Sequence, residues 1–141
     1  MKETDYASVH TLWMHTSGMG LNTLDDSYEG IQRFLKRNPT TCLLAVENEN
    51  IVGVILCGHD GRRGYIYHMA VADTHQRHGI GGHLLQSAIN ALKKEDIYKV
   101  ALVVFQRNEK GNQFWQKHGF EVREDLHYRN KAMVALQRID T

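Results

Sequence analysis

The stretch from Gly64 to Leu92 changes periodicity in a way that few folds accommodate. Gly64-Tyr65-Ile66-Tyr67-His68-Met69-Ala70-Val71-Ala72 reads as a strand, and Gln76-Arg77-His78-Gly79-Ile80-Gly81-Gly82 follows as a glycine turn. Leu84, Leu85, Ala88, Ile89 and Leu92 then recur at helical spacing. A strand that passes through glycines into a helix makes a cradle for a pyrophosphate. Glycines allow close backbone approach, and the N–H groups of the first helical turn have no partner within the helix. Arg77 adds a charged donor at the mouth.

Residue types around the turn separate the kinds of site that use one. A nucleotide P-loop carries Lys and then Ser or Thr after its last glycine, where this chain has His83-Leu84. A dinucleotide fold needs a third glycine, here Leu84, and an acid at the end of the next strand. That strand, Tyr98 to Phe105, leads instead into Gln106-Arg107-Asn108. The spacing Gln-x-x-Gly-x-Gly-Gly resembles the acetyl-CoA loop of the GCN5-related N-acetyltransferases, the GNAT superfamily. The order that follows, Asn108, Asn112, Phe114-Trp115 and Gly119-Phe120, is similar to that family's pattern as well. The resemblance covers residues 41 to 136.

Elsewhere the chain reads as a single domain over 1–141, long enough to bury roughly two-thirds of its unfolded surface. Residues 5–16 form an expected helix with Asp5 as N-cap and Val9, Leu12 and Trp13 on its apolar face. Ser17 to Asn22 is a glycine-rich loop. A second helix is expected from Asp25-Asp26-Ser27 to Arg37, with Asp25 and Asp26 favoured as its cap and, with Tyr28 and Glu29, the alternative candidates to attract a cationic amine; Asn38-Pro39 ends it. Three strands follow, Cys42–Glu47, Ile51–His59 and Gly64–Ala72, and a last strand pair is expected over Gly119–Glu124 and Arg129–Arg138. This order implies an α/β fold with a mixed sheet and helices on both faces. The resemblance implies a GNAT-like central splayed sheet whose first strand is short or absent. An uncovered edge of that kind makes a homodimer an open possibility.

The net charge is +1 with nine histidines counted neutral, so no field draws the chain to nucleic acid or membrane. No apolar run is long enough to span a bilayer, and cytoplasmic location is the default expectation. Cys42 and Cys57 read as buried free thiols, and His75, His78 and His83 as scattered histidines rather than a metal site.

The resemblance implies acetyl transfer from acetyl-CoA to a primary amine by direct attack in a ternary complex. It assigns the backbones of Met69, Ala70 and Val71 to the pantetheine arm and Gln76, Arg77, His78, Gly79, Ile80, Gly81 and Gly82 to the pyrophosphate. It sets Asn108, Asn112 and Trp115 along the arm and thioester. A proton relay is expected from Tyr67 or His68. Tyr128 of the last hairpin, or water, is the expected acid for the leaving thiolate, because Trp115 stands where many relatives carry a tyrosine and an indole has no practical acidity. Strict alternation sets Tyr65, Tyr67, Met69 and Val71 on one face and Ile66, His68 and Ala70 on the other, an assignment that a β-bulge would reverse. A small-molecule amine is the first expectation for the acceptor. Alternatives are a protein N-terminus or lysine, and a non-catalytic acyl-CoA-binding module that regulates a partner.

Overall fold

The computed structural model describes residues 1–141. Helix α1 spans Tyr6–Met14 and buries Val9 and Trp13, two residues of the expected apolar face. It starts one residue later than expected. Asp5 ends a short 3₁₀ turn, Glu3–Asp5, and its carboxylate accepts the Lys2 N–H at 2.7 Å, so it does not cap α1. Helix α2 spans Tyr28–Arg37, and here too the cap differs from expectation. Ser27 Oγ accepts the Gly30 N–H at 3.1 Å. That leaves Asp25 and Asp26 free for other partners.

The main sheet has the order β2-β3-β4-β5, with β2 Leu43–Glu47, β3 Asn50–His59, β4 Gly64–Val71 and β5 Val100–Leu102. The first three run antiparallel, while β5 lies parallel to β4 after the crossover helix α3, Ile80–Lys94. Parallel neighbours require such a crossover. Helices α1 and α2 cover one face, where Trp13, Ile31, Val54 and Leu56 form a core. Helix α3 covers the other, over Ile55, Cys57, Ile66, Leu85 and Leu92. Helix α4, Glu109–Lys117, follows β5. The mixed sheet with helices on both faces agrees with the sequence reading.

The remaining strand pair does not. No strand precedes α1, in line with a first strand short or absent; the two-residue β1, Leu21–Asn22, pairs antiparallel with β6, Arg138–Ile139. Residues 119–137 form neither expected strand. Their apolar residues stand in solvent, with Val122, Met133 and Val134 all exposed. Strand β5 is three residues long, shorter than the expected run, and offers them little edge to pair with. Apolar residues without a buried face do not secure a strand.

Cys42 and Cys57 are buried free thiols, as expected. Burial pushes Cys42 up to about 11 and Cys57 up to about 12, the latter helped by the neighbouring Cys42. Both are therefore protonated and inert at neutral pH. The raised folded values stabilise the protein fully below the ordinary thiol value of 9.0, and this contribution is lost as pH climbs from there through the folded values. Iodoacetamide at pH 8 is accordingly expected to leave both thiols unmodified in the native protein and to label both in urea. Labelling of the native protein at the unfolded rate would contradict their burial.

Candidate active site

The site lies where β4 and β5 part. They pair only from Gly64–Ile66 to Val100–Leu102, so the β5-facing edge of β4 from Tyr67 to Val71 has no partner strand. A cleft of about 2380 Å³ opens there, walled by β4, the glycine turn, the start of α4, α2 and the 128–136 segment.

On one side stands the glycine turn. After Val71 the chain makes a 3₁₀ turn, and the Gln76 amide donates back to the Val71 carbonyl at 3.1 Å and to the Asp73 carboxylate at 2.8 Å. Gln76 thereby fixes the direction in which the chain leaves the strand. Arg77 and Gly79 both have positive φ, 63° and 82°, and Gly79 caps α3; a Cβ on it would meet only the His83 ring, at 3.9 Å. The Ile80, Gly81 and Gly82 N–H groups have no backbone acceptor. The other two glycines serve packing. A Cβ on Gly81 would lie 3.1 Å from Met69 Cε and 3.2 Å from Phe114, and one on Gly82 would lie 3.3 Å from His118. The turn thus presents free N–H groups at its front, an arrangement suited to an anion, and makes a tight helix contact at its back. Arg77, Arg107, Lys110 and Lys117 line the cleft with this turn and the start of α4, and outnumber the carboxylates of Asp73 and Glu109 there.

Several expected residues fall at this half with altered jobs. Asn108 lines the cleft, and its Oδ1 caps α4 by accepting the Gly111 N–H at 2.9 Å. Asn112 is not part of the lining. Its amide donates to the Phe105 carbonyl at 3.0 Å and the Asn108 carbonyl at 2.8 Å, holding the β5–α4 connection in shape. His78 is exposed outside the lining. Trp115 lines the cleft while stacking edge-on with Phe114 and Phe120, at 5.0 and 5.1 Å between centroids.

The other half turns on a β-bulge. Leu56 of β3 pairs with His68 while Cys57 pairs with Ile66, so Tyr67 is one residue too many. The bulge reverses the alternation beyond it. Ile66, Met69 and Val71 face α3, and Ala70 faces α1 and α2. Tyr67 meets Phe34 of α2 edge-on at 5.3 Å, and His68 lies 5.0 Å from Trp13 of α1. Strict alternation had separated Tyr67 from His68; the bulge brings both to the α1/α2 side. Tyr65 stacks beside Tyr67 at 4.7 Å. Burial raises the pKa of both phenols, with the nearby Tyr128 phenol as the second cause. Both therefore stay protonated at neutral pH. Tyr128 itself is exposed on the opposing wall.

His68 is deeply set and paired. Its Nε2 lies 2.6 Å from Oδ1 of Asp26, and the two side chains are only 10% and 4% exposed. The second carboxylate oxygen accepts the Asn22 N–H at 2.7 Å. Forty-two positions separate Asp26 from His68, and no local pattern announces the pair. Asp26 was expected to serve the α2 terminus, a role that Ser27 takes.

The match to the acetyltransferase (GNAT) family covers residues 6–120, from α1 through α4. The chain belongs to that family. N-alpha-acetyltransferase 30 of Xenopus laevis is 36% identical over 92 residues, which are 62% of this chain and 34% of the frog protein. The matched stretch thus spans about a third of that relative's length. A GNAT acetyltransferase of Elizabethkingia anophelis, solved with acetyl-CoA bound, is 28% identical over 72% of this chain and 65% of its own, with a TM-score of 0.57. Ard1 of Thermoplasma volcanium shares the fold at a TM-score of 0.76, with 19% identity across 87% of this chain and 80% of its own. The matched residues include the splayed strands and the glycine turn described above.

Proposed function

We propose that the protein transfers an acetyl group from acetyl-CoA to a primary amine held between the tyrosines of β4 and the 128–136 segment. One observation carries this reading: the unpaired edge of β4 runs directly into a turn with three free N–H groups and flanking cations. Such an edge accepts an extended amide-bearing arm as a strand would, and such a turn accepts its phosphates. Acetyl-CoA has that shape and supplies the thioester carbonyl that an amine attacks. Met69, Ala70 and Val71 offer main-chain groups to the arm, and Arg77, Ile80, Gly81 and Gly82 offer donors to the pyrophosphate. Asn108 and Trp115 border the arm, with Asn112 shaping that wall from behind.

The acceptor arrives as an ammonium ion and must lose a proton before it attacks. Tyr67 is protonated and serves as a donor, as Tyr128 can from the facing wall. Neither suits the task of base. Imidazole is the side chain that exchanges a proton near neutrality, and His68 is the imidazole in the acceptor half. Asp25 and the rings of Phe34, Tyr65 and Tyr67 suit a cationic head.

Two acceptor classes carry such a head. A small-molecule amine follows from the aromatic and acidic lining. A peptide amino terminus is favoured by the N-alpha-acetyltransferase that matches at 36% identity. Competition separates them. Thiol release from acetyl-CoA is measured with polyamines, amino acids, aminoglycosides and short peptides, free and N-blocked. Saturable release with unblocked peptides alone selects the second class; release with small amines and none with peptides selects the first. Release that ignores the acceptor would refute both.

A further inference from the structure

We infer that Asp26 is a positioning residue for acetyl transfer, fixing His68 in the tautomer that keeps its free lone pair on Nδ1. The inference rests on the reading of His68 as the group that takes the amine proton. An ionised carboxylate only accepts hydrogen bonds. Asp26 receives two, from the Asn22 N–H at 2.7 Å and from His68 Nε2 at 2.6 Å, so the imidazole hydrogen sits on Nε2. Nδ1 is left as an acceptor. It is buried and has no partner in the protein, and so is the Trp13 Nε1–H, whose ring lies 5.0 Å away.

An unpaired buried acceptor beside an unpaired buried donor is costly unless something joins them. A single water that accepts from Trp13 Nε1–H and donates to His68 Nδ1 satisfies both. For the relay this water must also reach the cleft, whose lining includes His68 but not Trp13. The amine proton passes to the water, and a water proton passes to Nδ1. The imidazolium so formed is held by the Asp26 carboxylate, while the amine keeps its lone pair for the carbonyl. The Tyr6 hydroxyl donates to the Asp26 carbonyl at 2.8 Å and ties this turn to α1. Asp26 is thereby fixed from three sides.

Asp26→Asn tests this, because an amide can satisfy the same neighbours only by reversing one bond. Its carbonyl must accept from Asn22 N–H, which turns its NH₂ toward His68 and demands a lone pair on Nε2. The imidazole hydrogen then moves to Nδ1, and the base is lost without loss of the contact. Nitrogen-15 NMR of labelled histidine is expected to show the Nε2–H form in the wild type and the Nδ1–H form in Asp26→Asn. For kinetics, His68→Gln keeps a donor toward Asp26 but has no basic lone pair. Each single change is expected to lower kcat about 100-fold or more, the usual loss of a general base, with KM for both substrates moving less than about threefold. The double variant is expected to be no worse than His68→Gln, since both changes disable one unit.

An unchanged tautomer, a kcat for Asp26→Asn within about twofold of wild type, or additive losses would overturn the proposal; each threshold is small against the expected effect. A wild type inactive with every acceptor would instead fail the transfer reading and, with it, the catalytic role of the pair. The NMR comparison would still decide whether Asp26 sets the tautomer.

Discussion

Gly30→Ala is expected to cost about 3 kcal/mol of stability or more, at the upper end of what overpacking a single site does. Gly30 is the third residue of α2, and its N–H is the one that Ser27 caps. A Cβ there would lie 2.3 Å from the carbonyl oxygens of both Leu24 and Asp25. These are backbone atoms of a turn, with no flexible tip to swing aside. Alanine would gain about 1 kcal/mol of helix propensity at an unhindered position, too little to offset the clash. The turn that must move carries Asp25 and Asp26, so the buried contact with His68 loosens too. Denaturant unfolding measures the loss, and a midpoint equal to wild type would show that the 24–26 turn is not seated as described.

Gly81→Trp is expected to weaken acetyl-CoA binding about 100-fold or more, close to 3 kcal/mol. The back of Gly81 faces Met69 and Phe114 across gaps that a methyl group fills. An indole cannot fit between the first turn of α3, β4 and α4 without prising them apart, and those elements wall the arm's half of the cleft. Gly81→Ala is the matched control. Met69 Cε, its nearest contact, is the tip of a flexible side chain, so binding is expected to stay within about threefold of wild type, under 1 kcal/mol. Calorimetric titration with acetyl-CoA separates the two. Equal affinity for Gly81→Trp and wild type would remove this turn from the binding site.

Much of the cofactor half was legible because its signals are local. A strand ending at Val71, a glycine that needs positive φ at 79 and a helix beginning at Ile80 are each fixed by neighbours in sequence. The free N–H groups follow from helix geometry alone. The acceptor half was less legible because long-range pairing decides it. Period-two reasoning set Tyr67 and His68 on opposite faces, and a single extra residue in β4 reversed that. Asp26 looked like a helix cap by its position, yet Ser27 outcompetes it and a histidine 42 positions away takes the carboxylate. The expected closing strands over 119–124 and 129–138 failed for a related reason. Their apolar residues find no strand edge to pair with and bury no face. Asn112 was assigned to the arm by its place in the motif, whereas its amide spends both donors on backbone carbonyls.

Acetyl transfer is proposed to take place between the parted strands and the glycine turn. It is tested most directly by following free CoA thiol and acetylated product together, by thiol titration and mass spectrometry, with acetyl-CoA and the best acceptor from the competition panel. One thiol is expected for each acceptor gaining a single acetyl group, with many turnovers per protein and loss of both signals in Gly81→Trp. Acetyl-CoA binding with neither thiol nor product formed across the whole panel would contradict it.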